Sequence, residues 1–142
     1  MYSLETAIAA NGGMEALQRG EAVRMKRNET CVLIEYIGAG PRSAHALKVS
    51  EYDARNGGII RRPEMDFEIV NGNWLPFYYR DDHAGEEIQI YTVYGNGRLL
   101  GINTEKFAEL IKRARAWDRR IYERGLVAQE AASLYFPLFA EG

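Results

Sequence analysis

The sequence predicts an α+β domain. Its parts are an antiparallel sheet of five to six strands, a short N-terminal helical element, and a long C-terminal amphipathic helix packed on one face of the sheet. Three observations carry this reading. Apolar and polar residues alternate with period two through much of residues 22–94, as in half-buried strands. Asn- and Gly-rich turn signals separate these runs by short intervals, and short connections favour antiparallel pairing. Residues 104–124 carry one apolar stripe at helical spacing.

Residues 3–18 read as a helical element broken at Asn11-Gly12-Gly13, with Ser3 as a hydroxyl cap and Gly20 as its end. Leu4, Ala7 and Ile8 share one face before the break, and Met14 and Leu17 share one after it. From Ala22 the period becomes two: Val23 and Met25 alternate with Arg24 and Lys26. Asn28-Glu29 turns the chain into residues 31–37, a more continuous apolar strand expected at the sheet centre. After the loop Gly38-Ala39-Gly40-Pro41, Leu47 and Val49 mark a strand running to about Asp53. Asn56-Gly57-Gly58 is a turn signal, because Asn and Gly tolerate positive φ. Ile59 and Ile60 begin the next strand, which Pro63 interrupts; a residue without an N–H belongs at an edge or a bulge. Met65 to Val70 resumes it. Asn71-Gly72 turns into Trp74 to Tyr79, and the polar segment Arg80 to Glu87 leads to a strand over Ile88 to Tyr94. Gly95-Asn96-Gly97 turns the chain again. The helix over 104–124 has Asn103 as N-cap and Gly125 at the position of a C′ glycine. Its stripe is Phe107, Leu110, Ile111, Ala114, Trp117 and Ile121. A second short helix is expected over 127–135, with Leu134, Phe136, Leu138 and Phe139 tucked against the core.

At 142 residues the chain is sized for one domain, residues 1–142, with a real core. Lys and Arg number 18 against 20 Asp and Glu, a formal net charge of −2. That disfavours a dedicated nucleic-acid binder, whose phosphate contacts need cations, and equally an acidic DNA mimic. Cys31 stands alone, which excludes an internal disulfide and a CxxC metal site; Val32, Leu33 and Ile34 beside it predict a buried structural thiol. Met1-Tyr2-Ser3 opens no signal peptide, and no run approaches about 20 apolar residues, so a cytoplasmic location without membrane contact is expected.

Catalytic signals are sparse. His45 and His83 lie far apart in sequence, and neither has a partner at i+3 or i+4. A zinc site would have to gather them with Asp81, Asp82 or Cys31 across the fold, and two surface histidines are the simpler reading. Ser3, Ser43, Ser50 and Ser133 sit in no nucleophile elbow, and Gly95-Asn96-Gly97 is not a dinucleotide fingerprint. Glu64, Asp66 and Glu68 alternate on one strand and share a face, as the acids of a metal-dependent nuclease would, although that strand carries Arg61 and Arg62 instead of a lysine. Neither cofactor nor metal is expected. The helix carries basic residues, among them Arg113, Arg119, Arg120 and Arg124, which read first as a solvated face with pairs such as Glu109–Arg113 and second as a patch for an acidic partner. Trp74, Phe77, Tyr78 and Tyr79 gather on one strand, with Tyr78 on the opposite face from Phe77 and Tyr79.

Residues 50–70, 74–94 and 107–126 resemble an uncharacterised domain family carried on conjugative elements, plasmids and phages of bacteria. Asn56 and Gly57 match its turn, Pro63, Glu64, Met65 and Phe67 the following segment, Tyr79, Arg80 and Asp82 its aromatic strand, and Phe107, Trp117 and Gly125 its helix. Gly58 and Arg62 replace acidic residues of that family, which argues against a carboxylate-based catalytic site at the turn. The resemblance implies a setting among accessory genes of mobile elements, where small proteins often disarm host defence. The expected function is therefore a non-enzymatic, anti-CRISPR-like inhibitor that binds a CRISPR effector nuclease. Its expected contact residues are Tyr78, Arg80, Asp81, Asp82, Glu86 and Glu87, an aromatic strand end beside an acidic loop facing a basic channel. The alternatives are a nucleic-acid-binding accessory protein using the helix arginines, and a metal-dependent nuclease using Glu64, Asp66 and Glu68.

Overall fold

The computed structural model describes residues 1–55, 57–93, 96 and 99–128. Two short helices, α1 (Tyr2–Ala10) and α2 (Gly13–Gln18), precede six strands: β1 (Val23–Arg27), β2 (Thr30–Ala39), β3 (His45–Arg55), β4 (Gly58–Val70), β5 (Asn73–Asp81) and β6 (Glu86–Gln89). Then come β7 (Tyr91–Val93), β8 (Leu99–Ile102), helix α3 (Thr104–Glu123) and β9 (Val127–Ala128). The main sheet is seven-stranded, in the order β6-β5-β4-β3-β2-β1-β9, and all its pairs are antiparallel. β7 and β8 form a separate two-stranded sheet.

The sheet is thus larger than the five to six strands expected. Residues 88–94 are not one strand: β6 ends at Gln89 and β7 starts at Tyr91. Between them the Ile90 N–H donates to the Phe77 carbonyl (3.3 Å), and the Ile90 carbonyl accepts from the Asn103 N–H (2.7 Å). Val127 and Ala128 do not begin a helix but pair with Lys26 and Met25; the remainder of that segment lies outside the described residues, as do Gly95 and Gly97 of the expected turn. Pro63 sits at a register shift, where β4 places an extra residue opposite β3 between the pairs Ser50–Glu64 and Tyr52–Arg61.

All three helices lie on one face of the sheet. The core joins Leu4 and Ile8 of α1, Leu17 of α2, and Leu110, Ala114, Trp117 and Ile121 of α3 to Val32, Ile34, Leu47, Val49, Met65 and Phe67 of the strands. Phe107 and Ile111, at the margin of the stripe, are half-buried. The caps of α3 are the local ones expected: Asn103 Oδ1 accepts from the Lys106 N–H (3.0 Å), and Gly125 has φ +68°. Ser3 is not a cap. It lies inside α1, its hydroxyl is buried, and the amides of Ser3 and Leu4 donate to Asp118 of α3 at 3.3 and 3.2 Å. Cys31 is buried. No helix among the described residues is long and apolar enough to cross a membrane.

Candidate functional site

Period-two alternation sends one set of strand residues under the helices and the other to a face that no described helix covers. Two cross-strand rows run over that open face. One is Glu35, Lys48, Asp66, Tyr78 and Gln89, and the other is Leu33, Ser50, Glu64, Arg80 and Glu87. Opposite charges therefore neighbour one another across strands: Lys48 Nζ lies 3.5 Å from Glu64 Oε2. A shallow cavity of about 380 Å³ opens among these rows, lined by Leu33, Lys48, Tyr52, Ile59, Glu64 and Arg80 among others. Ile59, on the rim, is 68% exposed. Tyr52 lies opposite Cys31, and a hydrogen bond with that thiol, then burial, raise its pKa.

The residues expected to contact a partner divide between the two faces. Tyr78, Arg80 and Glu87 stand together on the open face. The Tyr78 hydroxyl donates to Glu87 Oε2 at 2.5 Å, and this bond, followed by burial, pushes the phenol up to about 12. Arg80 Nε donates to Asp82 Oδ1 at 2.6 Å. Asp81 and Glu86 pair with each other and alternate to the helix side. Glu86 takes a two-pronged bond from Arg113 (2.8 and 3.1 Å), which lowers its pKa, and the same guanidinium lies 4.8 Å above the Tyr79 ring. Asp81 Oδ1 accepts from the His83 and Ala84 amides, both at 3.1 Å, and so holds the turn. The acidic loop is not a free anionic cluster, because each carboxylate has an internal partner.

Glu64, Asp66 and Glu68 do share the open face, but their surroundings differ. Glu64 pairs with Lys48. Glu68 is fully buried beneath the β2–β3 loop, where its Oε2 accepts from the amides of Arg42 (2.7 Å) and Ala44 (3.0 Å). A Cβ at Gly40 of that loop would meet the Glu68 carboxyl at 2.7 Å, so a larger residue there would push the carboxyl from its place. Asp66 has no such partner. Its Oδ1 is buried without a hydrogen bond among the described residues, and burial pushes the carboxyl up to about 6, with Lys48 opposing and Glu64 adding.

Asp66 lines a second cavity, of about 350 Å³, with Pro41, Phe77, Tyr78, Gln89 and Tyr91. Tyr91 is only 6% exposed and its hydroxyl also lacks a partner among the described residues. Burial raises its pKa; the Arg42 charge opposes this and that of Glu68 adds to it. Alternation had placed Asp66 on this face, whereas reading residues 88–94 as one strand gave Tyr91 no distinct role.

The histidines stand apart. His45 meets Tyr36 Oη (3.0 Å) and Gln18, while His83 lies in the β5–β6 turn. Among the described residues, no three His, Cys, Asp or Glu side chains gather where they could hold one metal ion. Of the helix arginines, Arg113 binds Glu86 and Arg124 reaches the buried Glu51 (3.3 Å).

Residues 8–127 match the model of a family described as a domain of unknown function, DUF6908. No curated protein and no solved structure matches the chain.

Proposed function

The chain belongs to the DUF6908 family, and we propose that it is a non-enzymatic inhibitor that binds a bacterial immune nuclease, a CRISPR effector, through the open face of its sheet. The observation that carries this reading is the face itself. It is broad, uncovered by any described helix, and set with alternating charges beside the apolar Leu33 and Ile59 and the aromatic Tyr52 and Tyr78. Tyr52, Tyr78 and Arg80 are the residue types that anchor protein interfaces, and the paired charges around them suit a polar rim. A nucleic-acid surface needs uncompensated cations; on this face Lys48 and Arg80 are partnered by Glu64 and Asp82, while Arg24 and Arg61 stand on it without an ion pair among the described residues. The resemblance to a family of mobile elements supplies the class of partner and a cytoplasmic setting. In this reading Tyr78, Arg80, Asp82 and Glu87 make the contact, while Asp81 and Glu86 shape the turn that presents them.

The test adds purified protein in excess to several CRISPR nucleases and restriction enzymes and follows target cleavage. One nuclease should stop cleaving. The double variant Tyr78→Ala/Arg80→Glu should restore cleavage with its melting temperature within a few degrees of the parent. Full cleavage in every reaction, with no complex on size-exclusion chromatography, would overturn the reading. Salt-dependent DNA binding in that case would put the nucleic-acid accessory role first.

A further inference from the structure

The cavity lined by Pro41, Phe77, Tyr78 and Gln89 has Asp66 and Tyr91 in its wall, and in these two residues Oδ1 and Oη are buried without a partner among the described residues. Buried polar groups in folded proteins are nearly always hydrogen-bonded, to protein or to ordered water, so a pair of orphans in the wall of one cavity points to an entering donor that completes them. We infer that this cavity receives the guanidinium of an arginine side chain presented by the protein partner. The inference rests on the protein-binding role proposed above and names its anchor.

The chemistry of the lining selects that group. Asp66 supplies an acceptor oxygen, and Gln89, which gives one of its two amide N–H groups to the Tyr91 carbonyl (3.3 Å), keeps its side-chain oxygen as an acceptor. The Tyr91 hydroxyl can accept as well. A ligand that donates several hydrogen bonds at once is required, and the flat walls of Phe77, Tyr78 and Tyr91 favour one that is planar and cationic. Guanidinium has five N–H donors in a plane and is weakly hydrated, whereas an ammonium is compact and strongly hydrated. The size agrees: about 350 Å³ is at the small end of ligand pockets, which run roughly 300–1,000 Å³, and suits one side chain. The chain already builds this arrangement once for itself. On the other face Arg113 lies over Tyr79 with both Glu86 oxygens in its fork. The chain's own Arg42 acts on Tyr91 through space without a hydrogen bond to it.

The experiment titrates the full chain with N-acetyl-arginine amide and follows the NMR signals of Gln89 and Tyr91. The uncharged isostere N-acetyl-citrulline amide and the lysine amide serve as comparisons. Saturable shifts in the millimolar range are expected for the arginine compound, with citrulline and lysine at least tenfold weaker. Asp66→Asn should weaken arginine binding at least tenfold and Tyr91→Phe several-fold. Equal binding of arginine and citrulline, or no shift with the arginine compound at about 100 mM, would overturn the inference. Arginine binding here without inhibition of any nuclease would support the cavity and sink the nuclease reading. Inhibition that survives unchanged in Asp66→Asn would support the nuclease reading and sink the cavity's role.

Discussion

Trp117 is 3% exposed and donates its indole N–H to Glu51 Oε1 at 2.8 Å, so it fills the core and satisfies a buried carboxylate together. Trp117→Ala should cost about 3–5 kcal/mol in urea unfolding, the range for removing a large buried aromatic. Trp117→Phe keeps most of the ring but takes a donor from Glu51, and should still cost about 1–3 kcal/mol. A Phe variant as stable as the parent would show the Glu51 bond to be worth nothing. The burial of Trp117 was legible from its place on the helical stripe. Glu51 was not, because an acid among the other polar residues of β3 announces no partner when that partner lies 66 residues away. Asp66 gives a prediction of opposite sign. Its carboxyl is pushed from 3.8 up to about 6 by burial, against Lys48 on β3 and with Glu64 on its own strand. The folded state therefore holds the proton more tightly than the unfolded chain. No penalty exists below about pH 4; it grows as pH rises through about 6 and is complete above that. Asp66→Asn should stabilise the protein at pH 7.5 by roughly 1–2 kcal/mol, less than the full shift implies because the side chain is partly open to solvent. At pH 4 the gain should vanish, and an equal gain at both pH values would refute the titration.

At the scale of elements, α3 was readable to within a residue because its signals are local: Asn103 caps one end and Gly125 closes the other. α1 was readable as a helix but not in its docking. Its N-terminal amides are satisfied by Asp118 from α3, a cap that no local pattern reveals. Asp118→Ala should destabilise the fold by about 0.5–2 kcal/mol, the usual worth of a cap, and should speed amide exchange in α1 more than in β2 or β3. Uniform acceleration across the molecule would mean that Asp118 acts on the whole fold and not on the α1–α3 seam. The break at Ile90 escaped the sequence for the same reason as Asp118. Both backbone bonds that carry the chain across to β7 are made to Phe77 and Asn103, and Ile88 to Tyr94 is a run rich in β-branched and aromatic residues with no Gly or Pro to mark the break.

For the molecule as a whole, the candidate site was half legible. Tyr78, Arg80, Asp82 and Glu87 do belong together, but Glu86 opens a strand instead of a loop, so alternation turns it and Asp81 toward the helix. Exposed charges on the open face should act mainly on the rate of encounter. Once a partner is in hand, association should slow between 10 and 150 mM salt, as the Debye length shrinks from about 30 to about 8 Å, and Arg80→Glu should change that slope. The same variant sets an acid between Glu64 and Glu87 and beside Asp82, so it should also cost roughly 0.5–1 kcal/mol of stability, less as salt rises. A salt-independent association rate would remove steering from the account. The order of the main sheet has a consequence of another kind. From β1 to β6 every strand pairs with the one made just before it, so each hairpin can close while the ribosome is still adding the next. α1 and α2 are made first and cover part of the apolar side, but α3, which covers the rest, comes only afterwards, at residues 104–123. At about 5–20 residues per second, the finished meander would wait roughly 2–7 s with Val49, Met65 and Phe67 bare toward the missing helix. During that interval the nascent chain is a sticky half-sandwich, so chains released before α3 should aggregate or be held by chaperones, while those that complete it should leave freely.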